Sequence, residues 1–422
     1  MAIDNIILFE DGWVSPFFPL LYPRAVFELK VGMMSALERT HVFFPEAKYN
    51  LMTREALKPM LSQRYPKYFI NNPNVGLKAL VLNGRALLSE DLIAAIQEQS
   101  EDQVVVVHDH EWIAGQLQGD TLIHFMTLAT RTNFDPDALF DFIRKRPEIR
   151  IIDHPSICFK SLGEMIKRNG EIINSDFILM NKGGLVLGTL SRFVEMTNEA
   201  HIHIGKRTQI GPFVHIDASK GTVYIGEDVV IKANVVIEGP VFIDDHVIIQ
   251  PAFVRGNTSI GHHCRVGGEI EGTIMLPYSN KYHAGFLGHS YLGEWVNLGA
   301  MTTTSDLKNT YGTIQLQIGR SRIETEQQFL GSLIGDHVKT GIGSLLSTGS
   351  VVGFGAMLAI SGPLPQWIPS FSWLTSIKSE RYNFNKFLET TTRVWSRRER
   401  TLLPHDCAFL EMIYRQTEAE QS

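Results

Sequence analysis

Residues 223–249 read VYIGEDVVIKANVVIEGPVFIDDHVII, and isoleucine returns at every sixth position of this stretch. The isoleucines are Ile225, Ile231, Ile237, Ile243 and Ile249. A period of six fits neither the 3.6-residue period of an α-helix nor the two-residue period of a strand. It is the period of a hexapeptide-repeat β-helix, in which each repeat supplies one short strand of a three-sided coil. The stretch therefore predicts a prism filled by large aliphatic side chains.

The six-residue step continues well beyond that stretch. Aliphatic residues keep it on either side, at Ile204, Ile210, Ile216, Ile260, Val266, Leu292, Leu298, Ile334, Leu346, Val352 and Leu358. Glycine follows many of them, and we expect these glycines at tight corners, where a residue without a Cβ adopts a positive φ at little cost. The pattern predicts a β-helix over residues 199–360.

The first half of the chain has the pattern of an α/β domain. Apolar runs at 5–9, 77–82 and 104–107 predict buried strands, and a helical pattern lies between the second and the third. Alternating strands and helices indicate a parallel sheet that is covered on both faces. We therefore expect an α/β domain over residues 1–198, which includes a helical linker near 136–170.

Two further features organise the second half. The repeat is interrupted at residues 276–286 and 301–332, and loops that leave a regular solenoid usually carry its binding face. After the last repeat, amphipathic helices are predicted near 379–397 and 405–418. We expect residues 361–422 to form a helical extension that caps the open end of the prism.

Composition and charge argue against several classes of protein. A net charge of −6 and the absence of a dense basic run argue against a nucleic-acid-binding protein. The first residues, MAIDNIILFEDG, lack the cationic region of a signal peptide, and no run of about 18 apolar residues predicts a membrane-spanning helix. Three widely separated cysteines do not make a disulfide framework. We therefore expect a cytoplasmic protein without a membrane or nucleic-acid partner.

Residues 279–300, SNKYHAGFLGHSYLGEWVNLGA, resemble the acetyltransferase signature of the bifunctional enzymes that make UDP-N-acetylglucosamine. The segments NIILF (5–9) and ELKVG (28–32) extend the resemblance to nearly the whole chain. The chain is thus similar to the GlmU-like family, in particular to bacterial relatives with a divergent nucleotidyltransferase-like domain before a left-handed β-helix. The resemblance implies acetyl-coenzyme A as acyl donor and an amino sugar 1-phosphate as acceptor, in nucleotide-sugar synthesis. Because an isolated prism would leave an apolar side in water, we also expect a homotrimer.

The resemblance assigns roles to residues of the signature. It places the general base, a histidine that takes a proton from the attacking amine, at His283, and imidazole suits this task because its ordinary pKa lies near the working pH. His289 is the rival histidine, for which a structural role or a substrate contact is expected. Asn297 and Lys281 are expected to contact the sugar, and Ala300 to meet the acyl carrier through its backbone.

Three further positions bear on the identity of the acceptor. Arg255 matches an arginine that holds the sugar phosphate through bidentate hydrogen bonds, although a surface ion pair accounts for it equally well. Asp306 stands where the related enzymes have an asparagine on the sugar. A carboxylate there can still contact the sugar by accepting from a hydroxyl or ammonium group, but it would repel a phosphate or a carboxylate. Phe286 replaces a tyrosine and lacks its hydroxyl. The substrate contacts of the related enzymes therefore need not transfer intact.

The nucleotidyltransferase-like half departs from its family at two places. Where that fold has a glycine-rich turn with an arginine for the triphosphate, this chain has FEDGWVS at 9–15, with one glycine and two acids. Arg24 is expected to replace the lysine that meets the phosphate. Arg85 occupies the position of the magnesium-binding aspartate, and an arginine cannot ligate Mg²⁺. Either another carboxylate such as Asp109 holds the metal, or this half binds its ligand without turnover.

Two alternatives to the acyltransferase stay open at this point. The chain could be a degenerate relative whose N-terminal half is a ligand-binding or regulatory module. It could also be a carbonic anhydrase, because some hexapeptide prisms hold zinc with three histidines at subunit boundaries. The adjacent His262 and His263 cannot both face one metal from a strand, so we expect solvent-facing corner histidines there.

Overall fold

The computed structural model describes residues 3–72, 76, 78–99, 103–132 and 135–421. The chain divides into two compact units, the first formed by Met1–Leu29 with Met34–Ser161 and the second by Lys30–Met33 with Leu162–Ser422. The division falls before the long helix that the sequence pattern assigned to a linker, so this helix belongs to the second unit.

The first unit is built on a seven-stranded sheet. Its strands are β1 Asn5–Phe9, β2 Lys48–Met52, β3 Phe69–Ile70, β4 Lys78–Asn83, β5 Val104–His108, β6 Glu111–Gln118 and β7 Arg150–Asp153. They lie in the order β3-β2-β1-β4-β6-β5-β7, with β6 antiparallel to both of its neighbours. Leu77, the first residue of the second predicted strand, lies outside the described residues. The pattern does not predict β6, because Gly115 and polar glutamines interrupt its apolar run, and β6 makes the sheet mixed rather than parallel.

Helices cover this sheet and complete the predicted α/β domain. They are α1 Ala36–Phe43, α2 Lys58–Arg64, α3 Glu90–Gln97, α4 Gly119–Thr132 and α5 Pro136–Arg144. Strand residues such as Ile7, Val81 and Val105 form one apolar core with Phe125 of α4 and Leu139 of α5. The carboxyl ends of β1 and β4 lie side by side, since Phe9 pairs with Asn83 in parallel register.

The second unit is a parallel β-helix with three faces, which confirms the prediction from the six-residue period. The first face consists of Ile202–Ile204, Val223–Ile225, Val241–Ile243, Thr258–Ile260, Ile274–Met275, Tyr291–Leu292, Ser332–Ile334, Ser350–Val352 and Trp367–Ile368. The second face includes Thr189–Leu190, Gln209–Ile210, Val230–Ile231, Asn280–Lys281, Lys339–Thr340, Met357–Ala359 and Ser372–Thr375. The third face includes Glu195–Thr197, His215–Asp217, Val236–Glu238, Phe286–Gly288, Thr303–Thr304, Ser344–Leu346 and Gly362–Pro363. The longer strands Ile248–Val254 and Arg265–Glu271 run around the corner and serve both of these faces.

The aliphatic column of the repeat fills the prism. Ile225, Ile237, Ile243 and Ile249 have no solvent exposure and belong to one continuous core cluster. Burying such a side chain contributes about 1.5–3 kcal/mol relative to leaving it in water. The period of six is therefore the spacing that returns a large side chain to this core once on every face.

The repeat glycines serve a different purpose from the predicted one. Gly211 and Gly335 do not have a positive φ. They are needed because successive coils come close: a Cβ at Gly211 would lie 2.9 Å from the Ala233 nitrogen, and one at Gly335 would lie 2.9 Å from the Phe354 nitrogen. The positive φ falls two residues later, often on a residue with a side chain, such as Phe213.

The ends of the prism lie further out than residues 199 and 360. The first coil strand is Thr189–Leu190, and the last, Ser372–Thr375, pairs with the antiparallel strand Ser379–Arg381. Helix α6, Leu162–Met180, packs on the first face, where Asn169 Nδ2 donates to Ser259 Oγ at 3.0 Å. The six-residue step itself extends beyond the predicted bounds, since Leu190 and Met196 are six residues apart and Leu364 follows Leu358 by six, and all of these residues contact the prism core.

The two interruptions of the repeat differ from each other. Residues 276–286 stay within the coils, since Asn280–Lys281 is a regular strand of the second face, and the expectation of a projecting loop there is wrong. The second interruption leaves the prism between Asp306 and Leu330 and contains the hairpin Gln315–Ile318 with Ser321–Glu324.

The chain closes with helices α7, Phe384–Ser396, and α8, Pro404–Gln416, which confirms the helical extension. α7 begins at Asn383, whose side chain accepts a hydrogen bond from the Lys386 N–H. In the described part of the chain, no helix is long and apolar enough to cross a membrane.

Candidate functional site

The predicted base lies at the corner between the second and third faces. His283 has an exposed side chain, and its ring meets the Tyr282 ring edge-on with the centroids 5.5 Å apart. One coil further on, the Met301 N–H donates to the Ala284 carbonyl at 2.9 Å. His283 and Ala300 therefore occupy neighbouring corners of successive coils, and an imidazole is open to solvent beside the position predicted for the acyl carrier.

Lys281 requires a correction, because it points into the prism and not toward a substrate. It is 1% exposed, and its Nζ donates to the carbonyls of Gly267 at 3.3 Å and His283 at 2.6 Å. Burial lowers the pKa of Lys281 to about 8. Its ammonium group is engaged by the backbone, so its role is to hold the corner that carries His283.

The other two residues of the signature lie on the coil after His283. Asn297 is exposed on the second face, and its Oδ1 accepts a hydrogen bond from Asn280 Nδ2 at 3.3 Å. Ala300 is half-buried, and its carbonyl accepts from the Gly343 N–H at 2.8 Å. The structure thus brings His283, Asn297 and Ala300 together on two successive coils.

His289 and Asp306 form a hydrogen-bonded pair at the corner between the third and first faces. Their Nδ1 and Oδ2 atoms are 2.8 Å apart, and the side chains are 23% and 16% exposed. Gly272 makes room for the imidazole, since a Cβ there would lie 2.8 Å from His289 Cδ2, and the Phe329 ring covers the imidazole at 5.4 Å. A carboxylate on one ring nitrogen fixes the tautomer and leaves the other nitrogen available for proton transfer.

This pair changes the interpretation of both residues. Asp306 was predicted to contact the sugar, yet its carboxylate orients a histidine of its own chain. In the described part of the chain, no carboxylate pairs with His283. The rival histidine therefore has the orienting partner that a general base often uses.

Arg255 forms the surface ion pair that was the alternative to a phosphate contact. Its Nε lies 2.9 Å from Glu269 Oε1, and both side chains are exposed. Because the carboxylate already neutralises the guanidinium, Arg255 is not presented as a free cation to a sugar phosphate.

A buried ion-pair network closes the carboxyl ends of β1 and β4. Arg85 has no solvent exposure, its Nε donates to the two Asp11 oxygens at 2.9 and 3.0 Å, and its Nη2 lies 2.5 Å from Glu111 Oε2. Asn83 Nδ2 also donates to Asp11 at 2.9 Å. Asp11 and Glu111 are thus neutralised by an arginine, and this donor set does not fit Mg²⁺, which needs oxygen ligands that no cation already holds.

Arg24 also requires a correction. It is 3% exposed, and its Nη1 donates to the Leu20 carbonyl at 2.7 Å. The guanidinium is therefore buried in the domain and does not lie at an open phosphate site. Arg54, which the sequence did not single out, binds Glu10 through Nε at 2.7 Å. Asp109 lies on an exposed turn, 4.0 Å from the Lys160 ammonium.

Histidines stack in a column at the corner between the first and second faces. The rings of His246 and His263 are 4.6 Å apart, and the Nδ1 atoms of His262 and His263 are 3.0 Å apart. Burial and the charge of His262 lower the pKa of His263 to about 4. Across the described residues, no group of three or more His, Cys, Asp or Glu side chains is arranged to hold a metal ion.

The C-terminal segment brings residues to the second face that the sequence pattern did not indicate. Arg398 Nη2 donates to Asn280 Oδ1 at 3.2 Å, and Arg400 Nη1 donates to the Tyr278 hydroxyl at 3.1 Å. The Trp395 ring stacks on Trp295 with the centroids 5.4 Å apart. The available signal was the basic run WSRRER at the end of α7, which a helical pattern alone treats as solvated.

Comparisons with known proteins give one family model and several curated relatives. Residues 6–184 match the family model described as sugar nucleotidyl transferase. The chain is 34% identical over 133 residues to the bifunctional protein GlmU of Methanococcus aeolicus, covering 26% of this chain and 32% of that protein. It is 32% identical over 137 residues to the bifunctional sugar-1-phosphate nucleotidylyltransferase/acetyltransferase of Sulfurisphaera tokodaii. This match covers 32% of this chain and 34% of that protein. The chain thus spans about a third of the length of these relatives.

A solved structure is similar to part of the chain as well. It is the crystal structure of a Bacillus anthracis protein assigned as a glucose-1-phosphate thymidylyltransferase, in complex with sucrose. The identity is 10% and the TM-score 0.31, and the match covers 41% of this chain and 96% of that one. Because this TM-score is low, the fold rests on the strand order described above.

Proposed function

We propose that this chain, which belongs to the GlmU-like family, transfers an acetyl group from acetyl-coenzyme A to the amine of an amino sugar 1-phosphate. The amine nitrogen attacks the thioester carbonyl, a C–N bond forms as the C–S bond breaks, and coenzyme A leaves as the thiolate, which takes up a proton from the protonated histidine or from water. His283 takes the proton that the amine loses. Acetyl-coenzyme A and sugar phosphates are cytoplasmic metabolites, which would place the reaction in the cytoplasm.

The observation that carries this proposal is the exposed imidazole of His283 on a firmly held corner. The backbone carbonyl of His283 accepts a hydrogen bond from the Lys281 ammonium. The carbonyl of the following residue, Ala284, accepts one from the Met301 N–H on the next coil. A base on a fixed backbone meets the amine without first ordering a loop, which favours proton transfer. Asn297, exposed on the next coil, supplies an amide for the hydroxyl groups of a sugar.

We further propose that the chain forms a homotrimer with its acyltransferase sites between neighbours. Phe213, Met301 and Ile342 are exposed large apolar side chains at the same corner as His283, and Phe253 and Leu345 extend this surface along the third face. An apolar strip of this length in water favours association. A second copy against the corner would place its own side chains next to the base.

A specific observation supports a second candidate for the base. His289 is oriented by Asp306, and the two histidines flank the same strand of the third face, so a sugar over Phe286 could be approached from either corner. In that variant of the proposal, Asp306 orients the imidazole through its hydrogen bond to Nδ1 and is not itself a sugar ligand.

For the N-terminal half we propose binding of a sugar phosphate or nucleotide without nucleotidyl transfer. The support is the closed network of Arg85, Asp11 and Glu111, because phosphoryl chemistry at a triphosphate needs a divalent cation that this donor set does not accommodate. The half would then act as a ligand-binding or regulatory module.

The decisive experiment for the acyltransferase is thiol release from acetyl-coenzyme A by the purified chain. Glucosamine 1-phosphate as acceptor should release thiol in proportion to enzyme, and the mass of the product should rise by one acetyl group. Acetyl-coenzyme A without acceptor is the control. If no amino sugar phosphate raises thiol release above that control, the acyltransferase proposal is wrong and a binding role takes its place.

A further inference from the structure

The outward side of the second face carries a ladder of groups that donate hydrogen bonds. Arg265 pairs in register with Asn280, and bridges continue the ladder from Asn280 to Asn297 and from Asn297 to Lys339. The Lys339 Nζ donates to backbone carbonyls of its own chain, at 2.6 and 3.0 Å, so this last rung is not open to a ligand. Neighbouring strands lie about 4.8 Å apart, so the side chains of adjacent rungs touch one ligand of ordinary size. The ladder begins one coil before His283 and extends past Ala300.

The C-terminal arm, residues 395–400, adds a second layer of cations to this ladder. Arg398 binds the middle rung through the Asn280 side chain at 3.2 Å. Arg400 anchors the arm, because its Nη1 donates to the Tyr278 hydroxyl at 3.1 Å and its guanidinium carbon lies 5.4 Å from the Tyr278 ring centroid. These contacts hold the arm against the second face.

The amide groups of the ladder are oriented by these contacts. Arg398 donates to the oxygen of Asn280, and the nitrogen of Asn280 donates to the oxygen of Asn297. Both amide oxygens are thus occupied, and the exposed Asn297 offers its Nδ2 group to the solvent side. The Asn297 Nδ2 group and the neighbouring guanidinium groups are donors, and such donors are complementary to an anion.

The charges around this surface are not balanced by acids. In the described part of the chain, no carboxylate forms an ion pair with Arg265, Arg397 or Arg398, whereas Arg207, Arg255 and Arg393 each have one. Burial, together with the charges of Arg265 and Arg397, lowers the pKa of Arg398. Asp244 is held elsewhere, since its Oδ2 lies 3.6 Å from the Lys30 ammonium, and among the described residues Glu399 forms no ion pair with these three arginines. An added anion would relieve this repulsion.

We propose that Arg265, Arg398 and the Asn297 amide form a binding site for a phosphate monoester. The inference rests on the proposed acyltransfer for the nature of the ligand, and it transfers the role of phosphate recognition from the paired Arg255 to an arginine of the C-terminal arm. Two phosphates suit this chemistry, namely the 1-phosphate of the acceptor sugar and the 3′-phosphate of coenzyme A.

Calorimetric titration of the full chain tests the site. The ligands are inorganic pyrophosphate, glucosamine 1-phosphate, coenzyme A and 3′-dephospho-coenzyme A. Arg398→Gln and Arg265→Gln should each weaken binding of the phosphate ligand about 10- to 100-fold, the usual effect of losing a charged hydrogen bond. Arg393→Gln, on the exposed side of α7 and paired with Glu389, is the matched control and should leave binding unchanged. Circular dichroism melting checks that each variant is folded.

The set of ligands that bind more weakly to the variants identifies the source of the phosphate. A loss confined to glucosamine 1-phosphate assigns the site to the acceptor, and a loss for coenzyme A but not for its dephospho form assigns it to the acyl donor. If thiol release fails but Arg398→Gln still weakens pyrophosphate binding about 10- to 100-fold, the phosphate site is supported and the acyltransferase proposal is wrong. The site is refuted if folded Arg398→Gln and Arg265→Gln bind every ligand as the wild type does, or if the wild type binds none of them.

Discussion

Two histidines flank the strand Phe286–Gly288, and they differ in what holds them. His283 has an open ring on a backbone fixed by Lys281, whereas His289 has a ring fixed by the Asp306 carboxylate. An open ring reaches a substrate without losing an existing contact, and a paired ring has its tautomer set in advance. The two arrangements predict different mutational patterns.

His283→Ala should lower the acyl-transfer rate about 10²- to 10⁴-fold, because the amine then lacks a positioned base. The side chain is exposed, so the free energy of unfolding should change by less than about 1 kcal/mol. Steady-state thiol release and urea unfolding measure both effects.

His289→Ala is the matched control and should cost far less activity, as should Asp306→Asn. If His289→Ala is the inactive variant, and Asp306→Asn follows it, the base is the oriented imidazole and His283 must be reassigned. Equal losses at both histidines would likewise contradict the assignment to His283.

Arg85 decides the prediction for the N-terminal half. With Asp11 and Glu111 held by its guanidinium, we expect no appreciable magnesium-dependent release of pyrophosphate from UTP or dTTP with a hexose 1-phosphate. A coupled phosphate assay measures this. A turnover above about one per second, an ordinary enzyme rate, would contradict the prediction. Asp109 would then be the first residue to mutate in the search for the metal ligand.

Among the elements, the strand Asn280–Lys281 is unusual because it turns a lysine into the core of the prism. Burial lowers the pKa of Lys281 from its ordinary 10.5 to about 8, so between these pH values the unfolded chain holds a proton that the folded chain has lost. Stability should therefore rise with pH across that window. Lys281→Met should remove this gain.

Urea unfolding at pH 7.5 and pH 10, at one protein concentration, measures the difference between wild type and Lys281→Met. Lys206→Met, at an exposed position, is the control, and its free energy of unfolding should rise with pH as much as that of the wild type. An equal gain in all three proteins would mean that the two backbone carbonyls keep the Lys281 ammonium protonated.

The elements also show how far a sequence pattern reaches. The period of six predicts the coils because the core selects one residue in six, and Ile243 and Ile249 lie where it places them. It does not extend to β6, where Gly115 and polar glutamines interrupt the apolar run, or to the rung at Asn280–Lys281, where a lysine stands at an inward position. It also cannot reveal Asp306 beside His289, because that contact joins two coils through a corner.

For the whole molecule, the prediction is a homotrimer. The exposed apolar side chains Phe213, Met301 and Ile342 lie at one corner of the β-helix, and association would remove them from water. Light scattering at micromolar concentration should give three times the chain mass. Ile342→Glu should weaken the trimer by burying a charge at the interface, whereas Glu199→Gln, at an exposed position of the β-helix, should not. A monomeric mass for the wild type would place the site within one chain.

The contact between Arg398 and Asn280 joins residues that are 118 positions apart in the chain. At translation rates of about 5–20 residues per second, the arm leaves the ribosome about 6–24 s after the coil that it covers. The coils are built from local contacts and can form in that interval, since each one needs only its predecessor. A nascent prism would thus be folded before it could hold a phosphate, and its ligand would arrive last.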